Sequence, residues 1–147
     1  MAKQQNNKEQ KQQVAQQKYM ELQMVNNQVK ELQKQIQALE NQVGEVDNIL
    51  NNLDELKEIK VGSEILVPVA NGIFLKAELK DSNNMKVNVG SNTVVVKTID
   101  ETKKLLGDQS IEISEVHDQL VAQLKKIMAH AERTEEELKG MVQELQQ

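Results

Sequence analysis

From Leu22 to Leu53 the chain places an aliphatic residue at alternating intervals of three and four: Leu22, Val25, Val29, Leu32, Ile36, Leu39, Val43, Val46, Leu50 and Leu53. Such a repeat keeps one stripe on one side of an α-helix only if the helix supercoils left-handed about a partner. With Leu22, Val29, Ile36, Val43 and Leu50 as a positions, residues Val25, Leu32, Leu39, Val46 and Leu53 are the d positions, and the seam is unbroken. Toward the N-terminus it weakens: Ala15 and Lys18, then Lys8 and Lys11, hold the a and d places. Gly44 costs up to about 1 kcal/mol relative to alanine, too little to interrupt so regular a run. A helix from near residue 10 to near Leu56 would be about 70 Å long.

A second stripe runs through the last third: Ile113, Val116, Leu120, Leu124, Ile127, Ala131, Thr134, Leu138, Met141 and Leu145. The two successive intervals of four at Val116, Leu120 and Leu124 read as a stutter, which unwinds a supercoil locally. Thr98 and Glu101 have the spacing of a capping box and predict a helix start close to Asp100. Gly107 and the following Asp108, Gln109 and Ser110 weaken the first turns and mark a place for a kink. Two helices of similar length joined by about forty residues bury both stripes most simply as an antiparallel hairpin. Charge agrees with that direction. Residues 1–20 carry Lys3, Lys8, Lys11 and Lys18 against Glu9 alone, while residues 132–147 carry Glu132, Glu135, Glu136, Glu137 and Glu144 against Arg133 and Lys139.

Between the helices the period changes from heptads to alternation. Ile65, Val67 and Val69 form one strand pattern, Ile73, Leu75, Ala77 and Leu79 a second, and Met85, Val87 and Val89 a third. Thr93 to Lys97, including Val94 and Val96, is a last β-branched run. Asn71-Gly72, Asp81 to Asn84 and Gly90-Ser91-Asn92 supply the turns, which predicts two β-hairpins. Pro68 cannot donate a ladder hydrogen bond and calls for an edge or a bulge. Two hairpins leave open edges and an uncovered apolar face, so the chain must associate through its strands. The expected fold class is mainly α with a small β region: residues 1–57 a coiled-coil helix with frayed first residues, 58–99 two hairpins forming an oligomerisation body, and 100–147 a second coiled-coil helix.

Composition narrows the function. One Tyr, one Phe and no Trp leave no large side chains for a thick core. A net charge of −5 argues against a nucleic-acid partner. Without cysteine there is no disulfide, thiolate metal site or cysteine catalysis. No stretch approaches the roughly 20 apolar residues of a membrane span, and no export signal is visible, so a cytoplasmic location is expected. His117 and His130 have no metal-ligand companion at helical spacing and read as surface imidazoles. The glycines form no phosphate-cradling run. No catalytic residue, metal or cofactor is expected.

The segment Gly62-Ser63-Glu64-Ile65-Leu66-Val67-Pro68-Val69, with Phe74-Leu75-Lys76-Ala77 and Val87-Asn88-Val89-Gly90, resembles the strand region of α-type prefoldin subunits of archaea. That type carries two hairpins and the β-type one. The specific motif covers residues 62–99; the remaining likeness is architectural, and Ala70-Asn71-Gly72 stands where the family usually has a Gly-Ala-Gly-like turn. The resemblance implies an ATP-independent chaperone in which two α-type and four β-type subunits pool their hairpins into a double β-barrel. Six coiled-coil arms would bind non-native client proteins at their tips and pass them to a group II chaperonin. It also leaves open a structural role, since a filament-forming relative of the α-type exists.

On this reading the body strands contribute Ile65, Val67, Val69, Ile73, Leu75, Leu79, Val87, Val89, Val94 and Val96. The client-binding tip comprises Val14, Tyr19, Met20, Met24, Met141, Val142 and Leu145. Met20 and Met24 fall at f and c positions, away from the seam, and Val14 and Tyr19 on its shoulders. Methionine is flexible and polarizable and suits a surface that meets many shapes. The competing reading is that these residues pad the frayed end of the coiled coil. The Gln-rich start, from Gln4 and Gln5 through Gln10, Gln12, Gln13, Gln16 and Gln17, reads as a frayed tail rather than a recognition element.

Overall fold

A computed structural model describes residues 2–147, with side chains from Gln5 onward. The element order is helix α1 (Ala2–Glu58), strands β1 (Glu64–Ala70), β2 (Ile73–Glu78), β3 (Asn84–Asn88) and β4 (Val94–Thr98), then helix α2 (Ile99–Gln146). Helix α1 extends further back than the apolar seam predicts. The expected fraying bears on first residues that lie partly outside the described ones. Among the described residues no helix is long and apolar enough to cross a membrane. The chain divides into two compact units, Met1–Glu40 with Glu115–Gln147, and Asn41–Ser114.

In the first unit the two helices lie antiparallel. Lys11 pairs with Glu144 at 2.8 Å, Lys18 with Glu137 at 2.7 Å, Glu21 with His130 at 3.0 Å and Glu40 with His117 at 3.5 Å. As one helix ascends the other descends, and the basic start of the chain meets its acidic end as the charge pattern predicts. These exposed pairs individually contribute little stability; they report direction. The seam supplies the burial. Val25, Leu32 and Ile36 are buried, while Leu22, Val29 and Leu39 are half-buried. Each well-buried aliphatic side chain stabilises by roughly 1.5–3 kcal/mol. Thr134, only 2% exposed, satisfies its hydroxyl by donating to the His130 carbonyl at 2.9 Å.

The expected stutter is absent. On α2 the buried and half-buried series runs Ile113, His117, Leu120, Leu124, Ile127, Ala131, Thr134, Leu138, Met141 and Leu145, whereas Val116 is 46% exposed. The heptad phase continues through a histidine, and the neighbouring valine is turned outward. His117 is therefore a seam residue and not a surface imidazole; its side chain is 26% exposed, between Asp118 at 3.1 Å and Glu40 at 3.5 Å. The Asp118 carboxylate, helped by that of Glu40, raises its pKa above the ordinary histidine value although burial opposes the shift. A raised folded-state pKa gives a stabilisation that is complete below the unfolded value and lost as pH rises through the folded one. Thermal melting should therefore show a helix pair more stable at mildly acidic pH than above neutrality. In His117→Gln that slope should flatten.

The second unit contains the hairpins and the helix segments they join. There α1 buries Val46 and Leu53, Lys103 pairs with Asp54 at 2.5 Å, and Lys57 pairs with Asp100. Gly44 and Gly107 sit inside unbroken helices, so the kink expected near Gly107 does not interrupt α2. The predicted capping box forms: the Glu101 backbone N–H donates to Thr98 Oγ1 at 3.1 Å, and the Thr98 N–H donates to the Glu101 carboxylate at 2.9 Å. Ile99, the first helical residue, is 3% exposed.

The strands form two separate two-stranded antiparallel sheets, β1–β2 and β3–β4. In the first, Ile65 lies opposite Ala77 and Val67 opposite Leu75, with a register shift between Pro68 and Ala70. The irregularity falls beside the proline, as its missing donor requires. Gly72 closes the turn at φ +77°, a left-handed conformation that costs glycine little. In the second sheet Val87 lies opposite Val95 and Asn88 opposite Val94. Its turn holds Ser91 and Asn92 at φ 48° and 57°, and the Thr93 N–H donates to the Gly90 carbonyl at 2.8 Å. Between the hairpins, the Asp81 carboxylate accepts from the backbone N–H groups of Asn83 at 2.8 Å and Asn84 at 3.1 Å. Those donors hold its pKa below the ordinary aspartate value.

Candidate functional site

Two regions expose apolar side chains at a density that folding of the single chain does not explain. The first is the strand region. On the β1–β2 sheet one face carries Ile65 and Ala77, half-buried, then Val67 and Leu75, exposed. Its other face is polar near the helices, at Glu64, Lys76 and Glu78, but apolar near the turn, where Leu66, Pro68 and Phe74 are exposed. Val69 and Ile73 are exposed and Leu79 is half-buried. Sequence alternation names Val67, Val69, Ile73 and Leu75 but passes over Leu66 and Phe74, both of which are more exposed than Val67.

On β3–β4 the expected residues divide between two faces. Val87 shares a face with Val95 and both are half-buried, whereas Val94 and Val96 lie across from Asn88 and Lys86 on the opposite face and are exposed. Val89, just past β3, is exposed.

The second region is the first unit, where the chain ends meet. Ala15, Gln16, Tyr19 and Met20 of α1 and Leu138 and Val142 of α2 line a groove of about 430 Å³, and no charged side chain lines it. Met20 continues into a shallow depression along α1 with Met24, Gln17, Gln23, Glu21 and Asn27. Met20 is 57% and Met24 64% exposed. Val14 and Met141 are not part of this groove. They line a separate one of about 350 Å³ with Asn7, Gln10, Lys11 and Glu144, where Lys11 and Glu144 are ion-paired. Leu145 lies in a third, more polar depression with Asn7, Lys8, Lys11, Glu144 and Gln147.

The seven residues expected at the tip thus occupy one end of the helix pair in separate depressions. Tyr19, Met20 and Val142 line the main groove, and Met24 extends it along α1. Charged groups on the same helix turns are ion-paired. Lys18 is paired with Glu137, which raises the lysine pKa and lowers that of the glutamate, and Lys139 is paired with Glu135 at 3.0 Å.

A family profile described as "Prefoldin subunit" matches residues 25–144. The chain belongs to the prefoldin family. Among its curated relatives, the prefoldin subunit alpha of Thermofilum pendens is 31% identical over 90 residues, covering 61% of this chain and 67% of that protein. The subunit alpha of Pyrococcus horikoshii is 36% identical over 98 residues, covering 67% and 62%. That of Methanococcus aeolicus is 24% identical over 131 residues, 89% of each. The alignment with the Pyrococcus protein thus spans a little under two thirds of its length. Among solved structures, the filamentous PFD of Methanocaldococcus jannaschii superposes with a TM-score of 0.70 at 20% identity, covering 76% of this chain and 93% of that one. At that identity the likeness establishes the fold alone. This chain is an α-type prefoldin subunit, in a family of chaperone subunits rather than enzymes. Membership implies assembly with other prefoldin subunits, which gives the uncovered strand faces a reason to exist.

Proposed function

We propose that this prefoldin subunit belongs to an ATP-independent holdase that binds non-native proteins at its coiled-coil end and hands them to a group II chaperonin. The reading is carried by the uncharged groove of Tyr19, Met20 and Val142 beside exposed Met24, at the helix end remote in sequence from the strands. Two copies of this chain and four one-hairpin β-type subunits would close their strands into an intersubunit β-barrel body, covering Val67, Leu75, Val94 and Val96. Val14, Met141 and Leu145 would extend the client surface to the other side of the seam. No nucleotide, metal or cofactor is needed for such work, no membrane or nucleic acid takes part, and a cytoplasmic location suits it.

The assembled complex should suppress aggregation of a chemically denatured protein, followed by light scattering, with no nucleotide added. Introducing Met20→Ser, Met24→Ser and Val142→Ser together should remove most of that suppression, because each change withdraws about 1–2 kcal/mol of apolar contact. Unchanged suppression would defeat the assignment of the tip.

A structural, filament-forming role is the second reading, favoured by the fold shared with the filamentous PFD of Methanocaldococcus jannaschii. Open strand edges that pair head to tail grow rather than close. The mass of the purified chain, alone and with a one-hairpin partner, separates a closed hexamer from open polymers.

A further inference from the structure

Coiled-coil helices ordinarily solvate their outer positions with charge. The outer b, c and f positions of α1 between Glu9 and Lys30 do not: they are Gln10, Gln13, Gln16, Gln17, Met20, Gln23, Met24 and Asn27, and all are exposed. Within the same span the charged residues are Lys11, Lys18 and Glu21, and each is engaged across the seam, with Glu144, Glu137 and His130 respectively. The face beside the groove therefore combines two methionines with primary amides, and its one carboxylate, Glu21, is held between Lys18 at 3.8 Å and His130 at 3.0 Å. A primary amide donates two hydrogen bonds and accepts at its oxygen. It thus complements both the N–H and the C=O of a peptide backbone whose own partners are missing.

We propose, building on the chaperone reading, that this α1 face selects extended, uncharged apolar segments of non-native polypeptides. Met20, Met24 and the groove take the side chains, and the Gln16 and Gln23 amides take the segment's unpaired backbone groups. A helical or folded segment has satisfied its backbone internally and gains nothing from the amides. A charged segment meets no counter-charge here. Recognition is then independent of client sequence beyond apolarity, and independent of salt.

The test uses the assembled complex and a fluorescent, end-blocked peptide of alternating leucine and serine, with an analogue N-methylated at its leucines. Raising salt tenfold should leave affinity for the first peptide within about twofold, since no free charges are screened. The N-methylated peptide, lacking those donors, should bind roughly tenfold more weakly. In Gln16→Leu with Gln23→Leu that tenfold gap should close while the helical circular dichroism stays unchanged; both side chains are exposed, so folding is not at stake. Strong weakening by salt, equal binding of the two peptides, or a gap that persists in the double variant would each overturn the inference. So would a doubling of the complex's mass that Met20→Ser abolishes, since the face would then serve pairing between copies. If aggregation is suppressed normally while these peptide results fail, only the selectivity falls. If nothing is suppressed, the chaperone reading falls and takes the selectivity with it.

Discussion

Ile99→Ala is expected to lower the stability of the strand-bearing unit by about 2–5 kcal/mol, the usual cost of truncating a buried isoleucine. Ile99 is the most deeply buried aliphatic residue described, at 3% exposure. It also joins two kinds of structure. Its backbone N–H donates to the Asn83 carbonyl at 3.1 Å, continuing the β3–β4 ladder, and it is the first residue of α2. The neighbouring Thr98–Glu101 capping box and the Thr102 hydroxyl, which donates to the Thr98 carbonyl at 2.8 Å, fix the helix start around it. A cavity at this point cannot be filled by sliding either element, because both are pinned by hydrogen bonds. Far-UV melting should show the loss. Val116→Ala, on an exposed position of the same helix, should move the midpoint little. A comparable shift in both variants would mean that Ile99 does not anchor the junction.

Ile99 also marks a limit of reading the chain from its sequence. It lies where a strand pattern of period two hands over to a helix pattern, and it satisfies both, so neither period singles it out. The heptad seam of α1 was legible because ten aliphatic residues repeat without a gap, and a left-handed coiled coil is what such a repeat requires. On α2 the same logic misplaced one residue. An apolar Val116 beside a polar His117 invites the choice of valine, but the phase set by Leu120, Leu124 and Ile127 puts the histidine in the seam. Hydrophobicity chose the residue when periodicity should have. Partners across the seam, here Glu40, make a histidine acceptable there, and a single sequence does not display them.

The strands show a related limit. Alternation sorts the residues of β1 and β2 because polar residues mark the other face at Glu64, Lys76 and Glu78. In β4 three valines in succession, Val94, Val95 and Val96, carry no alternation, and only the turn at Gly90 to Thr93 sets which of them shares a face with Val87. At the helix ends, the heptad frame placed Met20 and Met24 away from the seam correctly. It did not show that Tyr19, Met20 and Val142 line one groove while Val14 and Met141 line another. That separation depends on how α2 is rotated against α1 within the first unit.

Val67→Asp with Leu75→Asp is expected to abolish assembly with a one-hairpin partner while leaving both helices folded. The two residues lie directly opposite one another on the apolar face of the first hairpin, and both are exposed in the single chain. Carboxylates there cost the isolated subunit little, because water reaches them. In the proposed body the same face is covered by neighbouring strands, where an unpaired charge costs several kcal/mol to bury, and two directly opposed carboxylates also repel. The expected weakening is a thousandfold or more, from roughly 4 kcal/mol or above. Mass measurement should find the variant as a free subunit, with helical circular dichroism unchanged. Lys80→Asp, which also adds negative charge at an exposed place just beyond β2, should leave assembly intact. If the double variant still formed the complex, the Val67 and Leu75 face would be open to solvent in the body. Association would then have to run through the opposite face at Leu66 and Phe74 or through the strand edges.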